Sequence, residues 1–293
     1  MKRTAIFALI CAALAAGLII WGLGASDGAR PAERIQGALL LVEDDTGTYL
    51  MQLRKGLQEA VQERGGTLSV ERLSDLDPVN RQTSYENYSA LYLLSEKPED
   101  YLPALHGKDI PVIVLGKEVR GEICALPDEE AGGRALGAHA AALFPGGQVL
   151  IIGNELEARD TLRLKGIMAG LAGLSSTLLD PGALDRAGTL QPDAILALSD
   201  ASLDAALALR GQDSTALFGF DAAETRLALM ESGELAGIAA DDPYALGYIA
   251  GSMLDDTLED DGKPFVRLSP RRLVTRENMY DAANVKLIFP LLH

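Results

Sequence analysis

Two aspartates, Asp221 and Asp241, each follow a short apolar segment that is typical of a buried β-strand, Ala216–Phe220 and Leu235–Ala240. In an open α/β sheet, side chains at the carboxyl ends of parallel strands face the crevice in which ligands bind. We therefore expect both carboxylates to point into one cleft as hydrogen-bond acceptors. The alternative interpretation is that each aspartate only caps the helix after it, since Asp is a favoured N-cap residue.

The chain carries none of the sequence motifs that usually indicate catalysis or metal binding. HExxH, CxxC, GxSxG and GxxxxGK[ST] do not occur, and the three histidines, His106, His139 and His293, are scattered. A catalytic triad or a metal site needs several side chains that converge on one point. We therefore expect no enzyme activity, no catalytic residue, no metal site and no cofactor.

The composition is that of an acidic globular protein. The 293 residues carry a formal net charge of −16, and 48% of them are hydrophobic. This length allows two lobes with sizeable cores. Since no basic patch occurs, binding to nucleic acid is excluded, and the acidic balance disfavours adhesion to anionic lipid heads.

The first 26 residues predict export. Met1-Lys2-Arg3 precedes an uncharged apolar run from Ala5 to Ala25, followed by Ser26. The run has the length of a membrane span, although its small residues near position 25 would also suit a signal peptidase. Residues 1–26 are therefore a signal anchor or a signal peptide, and residues 27–35 form a tether. The positive-inside rule places the rest of the chain outside the cytoplasm.

From Gly37 onward, short apolar strands alternate with helical patterns, which predicts an α/β fold with mostly parallel sheets. Ala38–Val42 is the first strand, and leucines at helical spacing follow it. The alternation restarts near residue 128, which indicates two similar lobes. The segment Asn284–Leu292 reads only as an apolar tail.

Several segments in order resemble the type I periplasmic binding proteins, the superfamily of ribose-binding and LacI-like sugar receptors. The matching segments are GALLLVEDDTGTYLMQLRKGLQEAVQERGG, IPVIVLGKEV, PDEEAGGRALGAHAAALF, VLIIGNELEARDTLRLKGIMAGL, GFDAAETRLALMESGELAGIAADDPYALGYIAG and RRLVTREN. They extend from about Gln36 to Met279. No helix-turn-helix pattern precedes Gln36, so the resemblance is to a receptor without a DNA-binding domain.

The resemblance implies two flavodoxin-like lobes with parallel sheets, joined by three crossovers that close on a ligand. The N-terminal lobe would contain residues 36–126 and 243–270, and the C-terminal lobe residues 127–242 and 271–293. The crossovers would fall near Cys124–Asp128, Asp241–Pro243 and Pro270–Arg272.

The family positions also imply a ligand site. Tyr49 matches an aromatic residue that stacks on a sugar ring, and Thr46 lies in the turn before it. Arg163 matches an arginine that binds ring oxygens and hydroxyls, and Asp221 matches an acidic residue of the site.

Three further positions depart from the ribose receptors. Gly116-Lys117 stands where those receptors have Asp-Arg, Ser199 replaces an asparagine, and Asp241 replaces a glutamine. The resemblance therefore implies that Lys117, Ser199 and Asp241 contact a ligand that differs from ribose.

The expected function is capture of a small polar ligand, a sugar, by lobe closure, for uptake through an ABC permease. The alternative is a membrane-tethered sensory or interaction module with the same fold, which signals to a kinase or chemoreceptor. In either case the partners are the small-molecule ligand and a membrane protein, and the N-terminal segment holds the protein at the membrane unless it is cleaved.

Overall fold

The computed structural model describes residues 37–43, 47–75, 85, 87–106, 110–184, 190–210, 215–259 and 263–289. The predicted anchor over residues 1–26, the tether and Thr46 lie outside these ranges. No helix within them is long and apolar enough to cross a membrane.

Strands and helices alternate over the described residues. The strands are β1 Ala38–Val42, β2 Leu68–Arg72, β3 Ala90–Leu94, β4 Val112–Leu115, β5 Ile123–Pro127, β6 Gln148–Ile152, β7 Ser175–Leu179, β8 Ala194–Ala197, β9 Ala216–Phe220, β10 Gly237–Ala240, β11 Val266–Ser269 and β12 Arg272–Thr275. The helices are α1 Thr48–Glu63, α2 Leu102–Leu105, α3 Glu129–Leu143, α4 Ala158–Gly170, α5 Asp200–Arg210, α6 Glu224–Ser232, α7 Pro243–Glu259 and α8 Ala282–Ile288.

The strands form two six-stranded sheets, which define two lobes. The first sheet has the order β11-β5-β4-β3-β1-β2, and the second has the equivalent order β12-β10-β9-β8-β6-β7. Neighbouring strands are parallel except β10 and β12. The predicted α/β fold with two parallel-stranded lobes is confirmed.

The chain passes between the sheets three times. It leaves the first sheet after Pro127, returns to it through Asp241-Asp242 and α7, and leaves it again between Ser269 and Arg272. All three connections therefore lie beside the carboxyl ends of strands, where a ligand site is expected in parallel sheets.

Close helix pairs cover one face of each sheet, α1 with α7 in the first lobe and α3 with α4 in the second. Glycines permit this approach. A Cβ added to Gly56 would lie 2.0 Å from the Tyr244 carbonyl oxygen, and one added to Gly166 would lie 2.0 Å from that of Glu130. Because both neighbours are backbone atoms, neither can move aside without separating the helices.

Two elements differ from the sequence-based expectation. Residues 123–127 form strand β5, although the pattern predicted only a crossover there; its Cys-Ala-Leu-Pro sequence has weak strand propensity, and pairing on both sides stabilises it. The predicted apolar tail contains helix α8, which buries Leu287 and Ile288 against the second core.

Candidate functional site

A cavity of about 880 Å³ lies where the carboxyl ends of the two sheets meet. Its wall includes Glu43, Tyr49 and Lys117 from the first lobe and Asp221 and Leu227 from the second. This volume is in the range of ordinary small-molecule sites, which span about 300–1,000 Å³.

The crossovers supply the charged floor of this cavity. Glu129 follows the first crossover, Asp241 lies in the second and Arg271 in the third, and all three line the cavity. Glu129 also opens helix α3, where the positive end of the helix dipole favours a carboxylate.

Arg163 and Arg271 hold Glu129 and Asp221 in one buried ionic network. Arg271 donates through Nη2 to Glu129 Oε1 at 2.8 Å and through Nη1 to Asp221 Oδ1 at 2.7 Å. Its Nη1 also donates to the Ala239 carbonyl at 3.0 Å. The Arg271 side chain is 2% exposed.

Arg163 occupies the inner side of this network. Its Nε donates to Glu129 Oε2 at 2.7 Å, its Nη2 lies 3.3 Å from Asp221 Oδ2, and its Nη1 donates to the Leu198 carbonyl. The guanidinium also lies 4.1 Å from the centroid of the Phe220 ring, a favourable cation–π contact. At 1% exposure, Arg163 supports the floor of the cavity but is not part of its wall.

Asp221 adopts an uncommon backbone conformation, with a φ of 65°. Aspartate is among the few residues other than glycine that enter this left-handed region readily, and such residues cluster at functional sites. Burial opposes ionisation of Asp221, but the charges of Arg271 and Arg163 outweigh it and hold its pKa below the usual range. The two arginines therefore fix an ionised carboxylate at the cavity.

Asp241 has a different environment, although it lies on the same wall. Within the described part of the chain it forms no ion pair with a basic side chain. Burial and the negative charge of Asp221 raise its pKa to about 6. Burial and then the Asp241 charge also raise the pKa of the Tyr49 hydroxyl, which shows that the Asp241 carboxylate lies near this tyrosine of the other lobe.

The raised pKa of Asp241 predicts a pH-dependent stability. The folded protein binds this proton more tightly than the unfolded chain, whose aspartates titrate near 3.9. Its favourable contribution is therefore complete below pH 4 and is lost as the pH rises through about 6. The quantity of interest is the difference in the free energy of unfolding between wild type and Asp241→Asn. We expect this difference, taken as wild type minus variant, to fall by at most about 3 kcal/mol from pH 4 to pH 8.

Urea denaturation across this pH range measures that difference. Asp204→Asn, on the exposed face of helix α5, is the matched control and should follow wild type at every pH. A pH-independent difference between Asp241→Asn and wild type would contradict the assignment.

The structure brings some of the predicted ligand residues together and separates others. Tyr49, Lys117, Asp221 and Asp241 line the cavity. The Lys117 ammonium is held by the Glu96 carbonyl at 2.9 Å and by Glu99 at 3.3 Å. Thr46 lies outside the described residues.

Two predicted contacts take other roles. Ser199 does not line the cavity; its hydroxyl lies 2.8 Å from the Ser202 hydroxyl and accepts from the Ser202 amide, which makes it a cap of helix α5. Arg163 was expected to bind ring oxygens of a ligand, but protein acceptors engage its guanidinium instead. Because Arg163 is buried beneath Glu129 and Asp221, it acts on the cavity by positioning those carboxylates.

Comparison with known proteins identifies the family. A family model described as "Periplasmic binding protein domain" matches residues 95–264, more than half of the chain. The chain belongs to the periplasmic binding protein family. A search of curated protein sequences finds no match to it. The family implies a location outside the cytoplasm.

Solved structures support the same fold for this periplasmic binding protein. GanP, a glucose-galactose binding protein from Geobacillus stearothermophilus, superposes with a TM-score of 0.64 at 15% identity, over 85% of this chain and 100% of GanP. The Caulobacter myo-inositol binding protein, bound to myo-inositol, superposes with a TM-score of 0.61 at 20% identity, over 88% of this chain and 99% of the Caulobacter chain. A chain of a mutant form of the XylFII-LytSN complex superposes with a TM-score of 0.67 at 15% identity, over 83% of this chain and 99% of that one. At these identities the similarity shows the fold alone.

Several residues of the cavity in this periplasmic binding protein were not singled out from the sequence. Glu129 looks like an ordinary acid of a first helical turn, and Arg271 like one of two arginines in a connection. Arg159, from helix α4, lies with its Nε 3.5 Å from Glu129 Oε1. Glu43, which accepts from the Ser95 hydroxyl, is part of an acidic turn. The usable signal was position for three of them, since Glu43, Glu129 and Arg271 closely follow the carboxyl end of a strand.

Proposed function

We propose that this protein is an exported solute-binding protein that captures a small polar ligand, a sugar, by closure of its two lobes. The observation that carries the proposal is the cavity between the sheets, in which fixed carboxylates face a tyrosine from the other lobe. Sugars present paired hydroxyls on a ring with apolar faces, so acceptors and an aromatic plate are suitable contacts.

We further propose that the protein delivers the ligand to an ABC permease and is attached to the membrane through residues 1–26. GanP, a glucose-galactose binding protein, and the Caulobacter myo-inositol binding protein have the same fold. The apolar run of the first 26 residues supports attachment on the outer side of the membrane. The protein acts by binding and not as an enzyme.

A sensory module is the second candidate function. It is favoured by one similar structure, which is a complex of XylFII with LytSN, since this fold there assembles with a second protein. In that case the ligand-bound lobes of the present protein would signal to a membrane-bound kinase or chemoreceptor. A gene neighbourhood with a permease and an ATPase favours transport, whereas one with a histidine kinase favours sensing.

A thermal-shift screen against sugars and polyols tests the binding proposal. A ligand at 100 times its Kd stabilises a protein by about 2.7 kcal/mol, which raises the melting temperature by roughly 5–10 °C at this size. We expect Tyr49→Ala, which removes the aromatic plate, to reduce the shift strongly.

Tyr248→Ala is the control for Tyr49→Ala. This tyrosine lies on helix α7 outside the cavity and donates to Glu63, so its removal should leave the ligand-induced shift unchanged. The absence of a shift with every sugar and polyol would exclude the proposed function. An undiminished shift in Tyr49→Ala would exclude the proposed stacking contact.

A further inference from the structure

Each basic side chain on the cavity wall already has at least one carboxylate partner in the protein. Arg271 pairs with Glu129 and Asp221, and Arg159 lies beside Glu129. The other two basic residues of the wall also have carboxylate partners, since Lys117 pairs with Glu99 and Arg226 with Asp200. A ligand anion would therefore have to compete with these carboxylates for its cations.

The acidic side chains on the same wall differ from the basic ones, because several of them have no partner of opposite charge among the described residues. Four of the carboxylates that line the cavity form no ion pair with a lysine, arginine or histidine of the described ranges. They are those of Glu43, Glu96, Glu231 and Asp241. The described residues of the wall and the residues that form ion pairs with them include eight carboxylates and five basic groups. The carboxylates are those of Glu43, Glu96, Glu99, Glu129, Asp200, Asp221, Glu231 and Asp241. The basic groups are those of Lys117, Arg159, Arg163, Arg226 and Arg271. The cavity therefore carries an excess of negative charge.

Asp241 is the most confined of these uncompensated acids. It lies in the second crossover near Asp221, and burial together with the Asp221 charge outweighs the attraction of Arg271. A buried carboxylate without a cationic partner is costly, and a positive group placed next to it removes that cost. Tyr49 of the first lobe lines the same cavity and is close enough to be affected by the Asp241 charge, so a group bound between them would touch both lobes.

Another part of the wall is apolar. Ala222, Ala223 and Leu227 of the second lobe line it together with Leu287, Ile288 and Phe289 at the carboxyl end of helix α8. Helix α8 reaches the first lobe as well, because Gln52 Nε2 donates to the Lys286 carbonyl at 3.2 Å. The cavity thus combines a carbon-rich surface with carboxylates that have no basic partner in the described part of the chain.

We infer that the ligand of this cavity is an organic cation, an amine-bearing sugar or polyol whose ammonium group lies between Asp241 and Tyr49. This inference rests on the proposed function and specifies the ligand class. Charge complementarity selects the partner, since a neutral sugar leaves Asp241 uncompensated and an acidic sugar adds repulsion. The apolar wall contacts the carbon face of the same ligand.

Isothermal titration with matched ligand sets tests the inference on the whole protein. The sets pair D-glucose, D-galactose and D-mannose with their 2-amino counterparts, and D-glucuronate serves as the anion. We expect at least one amino sugar to bind about tenfold or more tightly than its neutral partner at pH 7.5. In Asp241→Asn that preference should fall to within about threefold, whereas Asp204→Asn should retain it.

The outcomes separate the inference from the proposed function. If neutral sugars bind as tightly as amino sugars, or if glucuronate binds best, the ligand class is wrong and the binding function stands. If no member of any set binds, both are overturned. Stabilisation by CaCl₂ alone, with no response to amines, would show an inorganic cation site and would also overturn the inference. Thermal unfolding of each variant shows whether it is folded.

Discussion

Arg163→Met is expected to lower the free energy of unfolding by about 3–5 kcal/mol. Methionine fills a similar volume, so the loss comes from charge and hydrogen bonding. The substitution leaves Glu129 and Asp221 with Arg271 as their only deeply buried cation among the described residues, and it leaves the Leu198 carbonyl without its donor. Removing one partner of a buried ion pair costs more than the pair contributes, because an uncompensated charge remains. Urea denaturation at pH 7 measures the effect.

Arg134→Met provides the contrast. Arg134 pairs with Glu130 one turn away at 2.9 Å on the exposed surface of helix α3, with a side chain 58% exposed. Solvent screens such an exposed pair, so it contributes little and this variant should be close to wild type. The double variant Arg163→Met/Glu129→Gln should lose less than the sum of its single changes, since both act on one network. A loss below about 1 kcal/mol in Arg163→Met would contradict the proposed role of the buried network.

Gly56→Ala is expected to destabilise the first lobe by about 3 kcal/mol, although alanine is the better helix former. The new methyl group would meet the Tyr244 carbonyl oxygen at 2.0 Å and the Tyr248 nitrogen at 2.9 Å. Because these are backbone atoms of helix α7, the helices must separate, and contacts along both are weakened. Thermal unfolding with circular dichroism measures the loss.

Gly219→Ala is the matched control for this substitution. Its added methyl would lie 3.6 Å from Leu203 Cδ1, an ordinary van der Waals distance. We expect a change below about 1 kcal/mol there. If the two substitutions have equal effects, the close approach of α1 to α7 does not depend on the absence of a side chain at Gly56.

The sequence predicts the fold well because strand–helix alternation is a local property. Runs such as Ala38–Val42 and Ala216–Phe220 are continuous and apolar, as buried parallel strands are, and both form strands. β5 was missed because its stability depends on pairing with β4 and β11, and β11 is more than a hundred residues away in the chain. Glycine contacts such as Gly56 with Tyr244 depend on helix packing in the same way.

The candidate site was less predictable than the fold. Residue type and strand-end position indicated that Asp221 and Asp241 face a cleft, and both line it. The sequence could not show that the guanidinium of Arg163 is already engaged. Its acceptors, Glu129 and Asp221, lie 34 and 58 residues away, and only the folded chain brings them together.

The three connections between the lobes each carry a charged member of the site. Glu129 follows the first, Asp241 lies in the second and Arg271 in the third. Any movement of one lobe against the other bends the chain at these charges. Mobile ions screen exposed charges over about 10 Å at 0.1 M ionic strength, but they hardly reach arginine side chains that are 1% and 2% exposed. The ion pairs that these two arginines form beside the connections are therefore expected to be nearly the same in dilute and in saline surroundings.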